Sequence, residues 1–222
     1  MFFYRWLGRL EQRFSRFSIV HLMTYIVAGM AMVFVADLLL GAAVGKSLSA
    51  YFTFSVPLFL QGQFWRILTF IFIPPSSSIL FIVFALYFYY LIGNTLESEW
   101  GSFWFDLYYF FGMAGAIIAG FITGWATNSY LNMSLFFAFA VMYPDFPLRL
   151  FFFIPIKIKY LAFFDAVLFV VGFIQGSWPE RAAIIASLVN FFIFFGPSFF
   201  RSVRDRIRAH KRRKEYEDGW KQ

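Results

Sequence analysis

The sequence predicts an all-α, polytopic membrane protein with six transmembrane helices and both termini on the cytoplasmic side. Three observations predict it. The 222 residues are 61% hydrophobic and only 14% charged, with mean hydropathy +0.69, whereas a soluble domain is about half apolar and about a quarter charged. The apolar residues fall into a series of long runs. The basic residues gather on one side of those runs. Aromatic residues make up 25% of the chain, with 36 Phe. A water-soluble fold of this size has too much surface to hide that much apolar area. The length suits a single domain. There is no cysteine, which excludes disulfides and thiolate metal sites. The first apolar stretch is too long for a signal peptide, and no small-residue cleavage site follows it.

A spanning helix needs about 20 mostly apolar residues. The first such run is 19–40, ending at Gly41 and the small, polar stretch to Ala50. Residues 51–78 are apolar but broken by Pro57, Gln61, Gly62, Gln63, Arg66, Pro74 and Pro75, which predicts a long loop with short interfacial helices. Residues 79–92 form the second span, and Glu97 and Glu99 are expected to mark a turn after it. The third span is predicted over 103–124 and the fourth over 129–143, stopped by Pro144. The fifth lies over 160–175 and the sixth over 182–200. The second and fourth are short, which suits helices sheltered by protein or set in a thinned bilayer. Inside a bilayer the backbone must satisfy its own hydrogen bonds, so helices are expected throughout.

Charge fixes the predicted orientation. With both termini inside, the inner side holds the four arginines 5, 9, 13 and 16, the three basic residues Arg149, Lys157 and Lys159, and nine in the tail from Arg201 to Lys221. Those are sixteen of the 19 Lys and Arg; Lys46, Arg66 and Arg181 remain outside. The positive-inside rule favours this arrangement, and two basic termini on one side require an even number of spans.

Three segments follow. Residues 1–18 are expected to form a cytoplasmic amphipathic helix. In it Phe3, Leu7, Leu10, Phe14 and Phe17 recur at steps of four and three, and the arginines lie on other faces. Residues 19–200 form the six-helix membrane domain, and residues 201–222 a basic cytoplasmic tail. The expected partners are the lipid bilayer and anionic lipid at the Arg/Lys-rich termini. Orientation and anchoring explain these basic runs without nucleic acid, for which a charge run alone is weak evidence.

Several short motifs go beyond composition. The stretch Gly62-Gln63-Phe64-Trp65-Arg66-Ile67-Leu68-Thr69-Phe70 resembles the Trp-Arg stretch in the first loop of rhomboid proteins and derlins. Gly93, Glu97 and Gly101, followed by Phe103 and Tyr108 or Tyr109, resemble the rhomboid pattern G-x-x-x-E-x-x-x-G between the second and third helices. Tyr143-Pro144 and the run from Arg149 to Lys157 are similar to the rhomboid passage from the fourth helix to the fifth. The resemblance covers about residues 50 to 200, in order, and implies the six-helix rhomboid-like bundle. The same residues have plain physical roles. Glu97 can accept hydrogen bonds at two helix ends and cap the third span. Gly93 and Gly101 suit close approach or a tight turn. Trp65 is expected to sit as an apolar anchor in the headgroup layer, with Arg66 snorkelling beside it.

What the resemblance implies about activity depends on the residues at the family's catalytic positions. Active rhomboids carry a serine in a G-x-S-G turn at the start of the fourth helix and a histidine in the sixth. A His and an Asn in the second helix help bind the oxyanion. Counting along this chain puts the oxyanion positions at Phe81 and Ala85, the serine at Ser129 and the histidine at Asn190. Phe81 and Ala85 donate no hydrogen bond, Tyr130 replaces the glycine after the serine, and an amide is no general base. Serine is a poor nucleophile without such a base. The two histidines, His21 and His210, are predicted on the cytoplasmic side, a bilayer core of about 30 Å from Ser129. Lys46, the one lysine expected outside, sits in a loop. Ser129 alone reads most simply as a helix N-cap.

The remaining polar residues are scattered. Asp37, Asp106 and Asp165 lie in or near spans, with Lys159 as a candidate partner for Asp165. Asn190 suits an interhelical hydrogen bond. No metal-ligand cluster, phosphate loop or other cofactor motif stands out. The expectation is therefore a catalytically inactive rhomboid homologue, a pseudoprotease or derlin-like member. Through the resemblance it would bind membrane-protein clients for quality control or trafficking, in the cytoplasmic membrane or, in a eukaryote, the ER membrane. No ATPase-recruiting motif of the derlin kind stands in residues 215–222. The alternatives are an active intramembrane serine protease using Ser129, and a transporter or channel.

Overall fold

A computed structural model describes residues 16, 18–45, 47–75, 78–150 and 154–194. Most of the expected N-terminal amphipathic helix, all of the basic tail and the end of the predicted sixth span lie outside the described residues. The chain is mostly helical, and among the described residues four helices are long and apolar enough to cross a membrane.

The first is α1 (Leu22–Val44), followed by a short α2 (Leu48–Phe52). Two residues of strand, β1 (Phe54–Ser55), lead to the short helices α3 (Val56–Leu60) and α4 (Arg66–Thr69) and a 3₁₀ turn, Phe70–Phe72. The loop predicted over 51–78 thus has the broken, short-helical form that its Pro and Gly residues dictate. Then come α5 (Ile79–Trp100), α6 (Ser102–Thr123), β2 (Trp125–Ala126) and α7 (Ser129–Met142). A hairpin, β3 (Pro147–Leu150) with β4 (Ile154–Lys157), precedes α8 (Ile158–Gln175). A last helix, α9, covers residues 178–194.

The second span differs from expectation. Glu97 and Glu99 do not mark a turn; α5 continues through both and ends at Trp100. The chain reverses at Gly101 instead, with φ 82° and ψ 152°, a conformation open almost only to glycine. Residue 101 is at once the end of α5 and the N-cap of α6. The two glutamates are tolerated in the last turn because that turn lies at the end of the apolar stretch.

The two strand pairs were not expected either. β1 pairs antiparallel with β2, Phe54 opposite Ala126 and Ser55 opposite Trp125. This ties the long loop to the α6–α7 connection. β3 and β4 pair with Arg149 opposite Pro155. Both ladders sit between helices, where backbone leaving a helix needs new partners.

The core is one cluster. Met23, Ile26 and Met30 of α1 pack with Ile92 and Leu96 of α5, Phe105, Tyr108 and Tyr109 of α6, and Leu131, Leu135 and Phe139 of α7. Helix α6 is the centre, with nine of its residues buried against two in α8. Close approach is built in. A Cβ at Gly93 would lie 2.3 Å from the Met23 Cβ, so α1 and α5 meet where only hydrogen fits. The outward faces carry large apolar side chains, among them Met32, Leu39, Phe163, Phe164 and Ile174. A face of that kind is covered by lipid rather than water.

Candidate functional site

Arg66 is the most unexpected polar residue. Sequence predicted a snorkelling cation beside a tryptophan in the headgroup layer, and the structure instead buries the cation inside the protein. Arg66 is 3% exposed, whereas Trp65 is 50% exposed. The Arg66 Nη1 donates to the carbonyl oxygens of Ala50 (2.8 Å) and Thr53 (2.7 Å), and Nε donates to Gln63 Oε1 (2.8 Å). The two carbonyls belong to the turn where α2 ends, so their helical partners are missing. A planar fork of donors suits several fixed acceptors at once. Trp65 lies outside this knot, its Nε1 donating a longer bond (3.4 Å) to the Tyr51 carbonyl.

A second anchor holds the other end of the loop. Buried Asn128 donates through Nδ2 to the carbonyls of Ile71 (3.0 Å) and Ile73 (2.8 Å). Asn128 is the N-cap residue of α7, in αR conformation and without a side-chain capping bond. Ser129 is therefore not the N-cap that its position suggested. It is the first residue of the helix, exposed, and its hydroxyl pairs with Thr127 Oγ1 at 3.1 Å.

Asn190, at the position counted for a histidine, is buried and donates to the Tyr108 carbonyl at 3.4 Å. Its neighbours are Tyr108, Ser134 and Ser187. The Tyr108 hydroxyl bonds Ser134 Oγ, Ser134 Oγ donates to the Ser187 carbonyl (3.4 Å), and Ser187 Oγ donates to the Tyr130 carbonyl (2.8 Å). This network joins α6, α7 and α9 through their interior. Beside it lies a cavity of about 10 Å³ bordered by Gly112, Tyr130, Ser134, Ser187 and Asn190, room for about one water. Ser129 does not border it. Ser129 and Asn190 thus belong to different surroundings, one on the exposed start of α7 and one in the packed interior. Phe81 and Ala85 stand on α5, Phe81 largely exposed.

Glu97 and Asp106 form a clasp at the opposite end of the bundle. Glu97 is buried, and its Oε1 accepts from the His21 N–H (2.7 Å) and from the Ser102 hydroxyl (2.6 Å). One carboxylate thereby ties the start of α1, through a backbone N–H, to the start of α6, through a side-chain hydroxyl. His21 adopts φ 60°, uncommon for a side-chain-bearing residue, and the Glu97 bond holds it there. Asp106 Oδ2 accepts from the Ile19 N–H at 2.6 Å. Asp37 is also a capping group, accepting from the backbone N–H groups of Leu48 and Ser49 at the start of α2.

Lys159 does not pair with Asp165. It donates to Asp145 at 2.8 Å, and Lys157 donates to the same carboxylate oxygen at 3.2 Å. These contacts hold the Asp145 carboxyl below its ordinary pKa range. The Tyr143 hydroxyl bonds Glu99, which raises the phenol above its usual value.

Sequence reasoning singled out Arg66, Glu97 and the glycines but missed the partners that give them their roles. Asn128, Ser134 and Ser187 carry no motif; each is one small polar residue in an apolar run. Among the described residues no three His, Cys, Asp or Glu side chains come together as a metal site. No protein-family model matches the chain, and no curated protein matches it.

Proposed function

We propose that the chain is an inactive rhomboid-like protein with six membrane-spanning helices, which binds membrane-protein clients for their quality control or trafficking. The single observation that carries the inactive reading is the state of the two dyad positions. Ser129 is exposed, and among the described residues its hydroxyl pairs with Thr127; Asn190 is a buried amide bonded to a backbone carbonyl. A serine nucleophile needs a base within hydrogen-bond reach. The sequence order of the Trp65-Arg66 stretch and of Gly93, Glu97 and Gly101 supports the family reading. Arg66 knots the first loop, Gly93 sits against Met23, and Glu97 bridges two helix starts. In this reading α7 (14 residues) and α9 also cross the membrane, which makes six spans with the four long helices.

In this reading both termini are cytoplasmic, as the positive-inside rule requires of this charge distribution, and the membrane is the cytoplasmic membrane or the ER membrane of a eukaryote. A reporter active only outside the membrane, fused after Gln222, stays silent in intact cells if that orientation holds.

Client binding is tested by solubilising native membranes, capturing the chain and identifying co-purified proteins by mass spectrometry. The reading expects membrane proteins enriched over capture with an unrelated six-span protein. The same recovery from both contradicts it.

A further inference from the structure

An apolar cavity of about 760 Å³ lies between α7, α8 and α9, apart from every residue of the rhomboid-like motifs. Its inner wall includes Ala140 of α7, Ala162 and Ala166 of α8, and Leu188 of α9. Ala162 and Ala166 stand four residues apart, on one face of α8. Methyl groups there leave open the space that larger side chains would fill. Phe163 and Phe192 border the cavity, the first largely and the second nearly half exposed, so it opens on the outer surface of the bundle. An apolar cavity offers water no hydrogen-bond partners. In a bilayer its natural content is hydrocarbon.

One end is different. Lys159, in the first turn of α8, borders the cavity. Lys157 is beside it, and the two lysines share the Asp145 carboxylate. That cluster carries net positive charge. From Lys159 to Phe173 the cavity follows α8 over fourteen residue steps, roughly 21 Å at 1.5 Å rise each. One leaflet of hydrocarbon is about 15 Å deep, so an acyl chain starting at the lysine end fits within that length.

We propose that this cavity binds one anionic phospholipid, with an acyl chain between α8 and α9 and its phosphate at Lys159. The site does not rest on the rhomboid-like reading and stands or falls separately from it.

The test is native mass spectrometry of the purified chain in detergent with phosphatidylglycerol or phosphatidylcholine. The wild type is expected to retain one phosphatidylglycerol in preference to phosphatidylcholine. Ala166→Phe, which fills the cavity, is expected to lose it. Lys159→Gln is expected to keep a lipid but to lower the preference about fivefold, the effect of one surface lysine on anionic lipid. Equal retention of both lipids by the wild type, or unchanged retention by Ala166→Phe, overturns the proposal. If Ala166→Phe does not fold, photoactivatable phosphatidylglycerol on the wild type decides the matter. Cross-links concentrated on residues 159–173 and 184–192 support the site, and cross-links spread evenly over all helices overturn it. A second copy of the chain cross-linked at those residues, with no lipid retained, also overturns it.

Discussion

The Arg66 guanidinium donates a 2.7 Å hydrogen bond to the Thr53 carbonyl from a position 3% exposed. With its bonds to Ala50 and Gln63, it makes the side chain the internal knot of the first loop. A buried acceptor left unpaired costs about 1–3 kcal/mol. Arg66→Ala is therefore expected to lower thermal stability in detergent strongly, by at least that amount. Arg66→Lys restores the charge but not the fork and recovers only part. Trp65→Ala, at an exposed ring, is expected to have the smaller effect. Melting curves of the three variants check the order, and a larger loss from Trp65→Ala contradicts it.

Glu97 is expected to matter for the start of α1. Its Oε1 serves His21 and Ser102 together, so Glu97→Ala removes one acceptor from two helix starts. The expected loss is about 1–3 kcal/mol. Glu97→Gln keeps an acceptor oxygen and is expected to lose less. Hydrogen exchange checks the location: protection should fall first at residues 21–25 in the alanine variant.

Gly101→Ala is expected to destabilise by about 1–3 kcal/mol, because residue 101 holds φ 82° and ψ 152° and a Cβ makes that backbone strained. No atom crowds the position, so the cost comes from the backbone rather than from a clash. Thermal melting of Gly101→Ala beside an Ala substitution at exposed Ser98 isolates it.

The Asp145 carboxyl is expected to titrate below the ordinary range of about 3.9, because Lys159 and Lys157 hydrogen-bond its charged form. A lowered folded-state pKa stabilises the fold above the unfolded value, and that contribution is lost as pH falls through the folded one. The group is exposed, so salt screens the effect. Carboxyl ¹³C shifts of Asp145 against pH check it, and a midpoint at or above the ordinary range contradicts it. Lys159→Gln with Lys157→Gln should return the midpoint upward.

The helices were legible because each rests on a local property. Long apolar runs set α1, α6 and α8, and Pro and Gly broke the 51–78 stretch. The end of α5 was misread because Glu97 and Glu99 looked like turn residues. Their acceptability depends on Ser102, His21 and Tyr143, which lie elsewhere in the chain. Arg66 was misassigned for the same reason. Residue type favours a wet cation, and the acceptors on Ala50, Thr53 and Gln63 reverse that preference. The Tyr108–Ser134–Ser187 network was invisible, since one serine in an apolar helix reads as packing.

The central claim is that Ser129 is not a nucleophile. The most direct measurement is labelling of the purified protein, in lipid, with a fluorophosphonate serine probe, wild type beside Ser129→Ala and beside an active rhomboid protease. The account predicts strong labelling of the protease and none above background on either form of this chain, with no cleavage of a rhomboid substrate. Labelling or cleavage by the wild type that disappears in Ser129→Ala would contradict it.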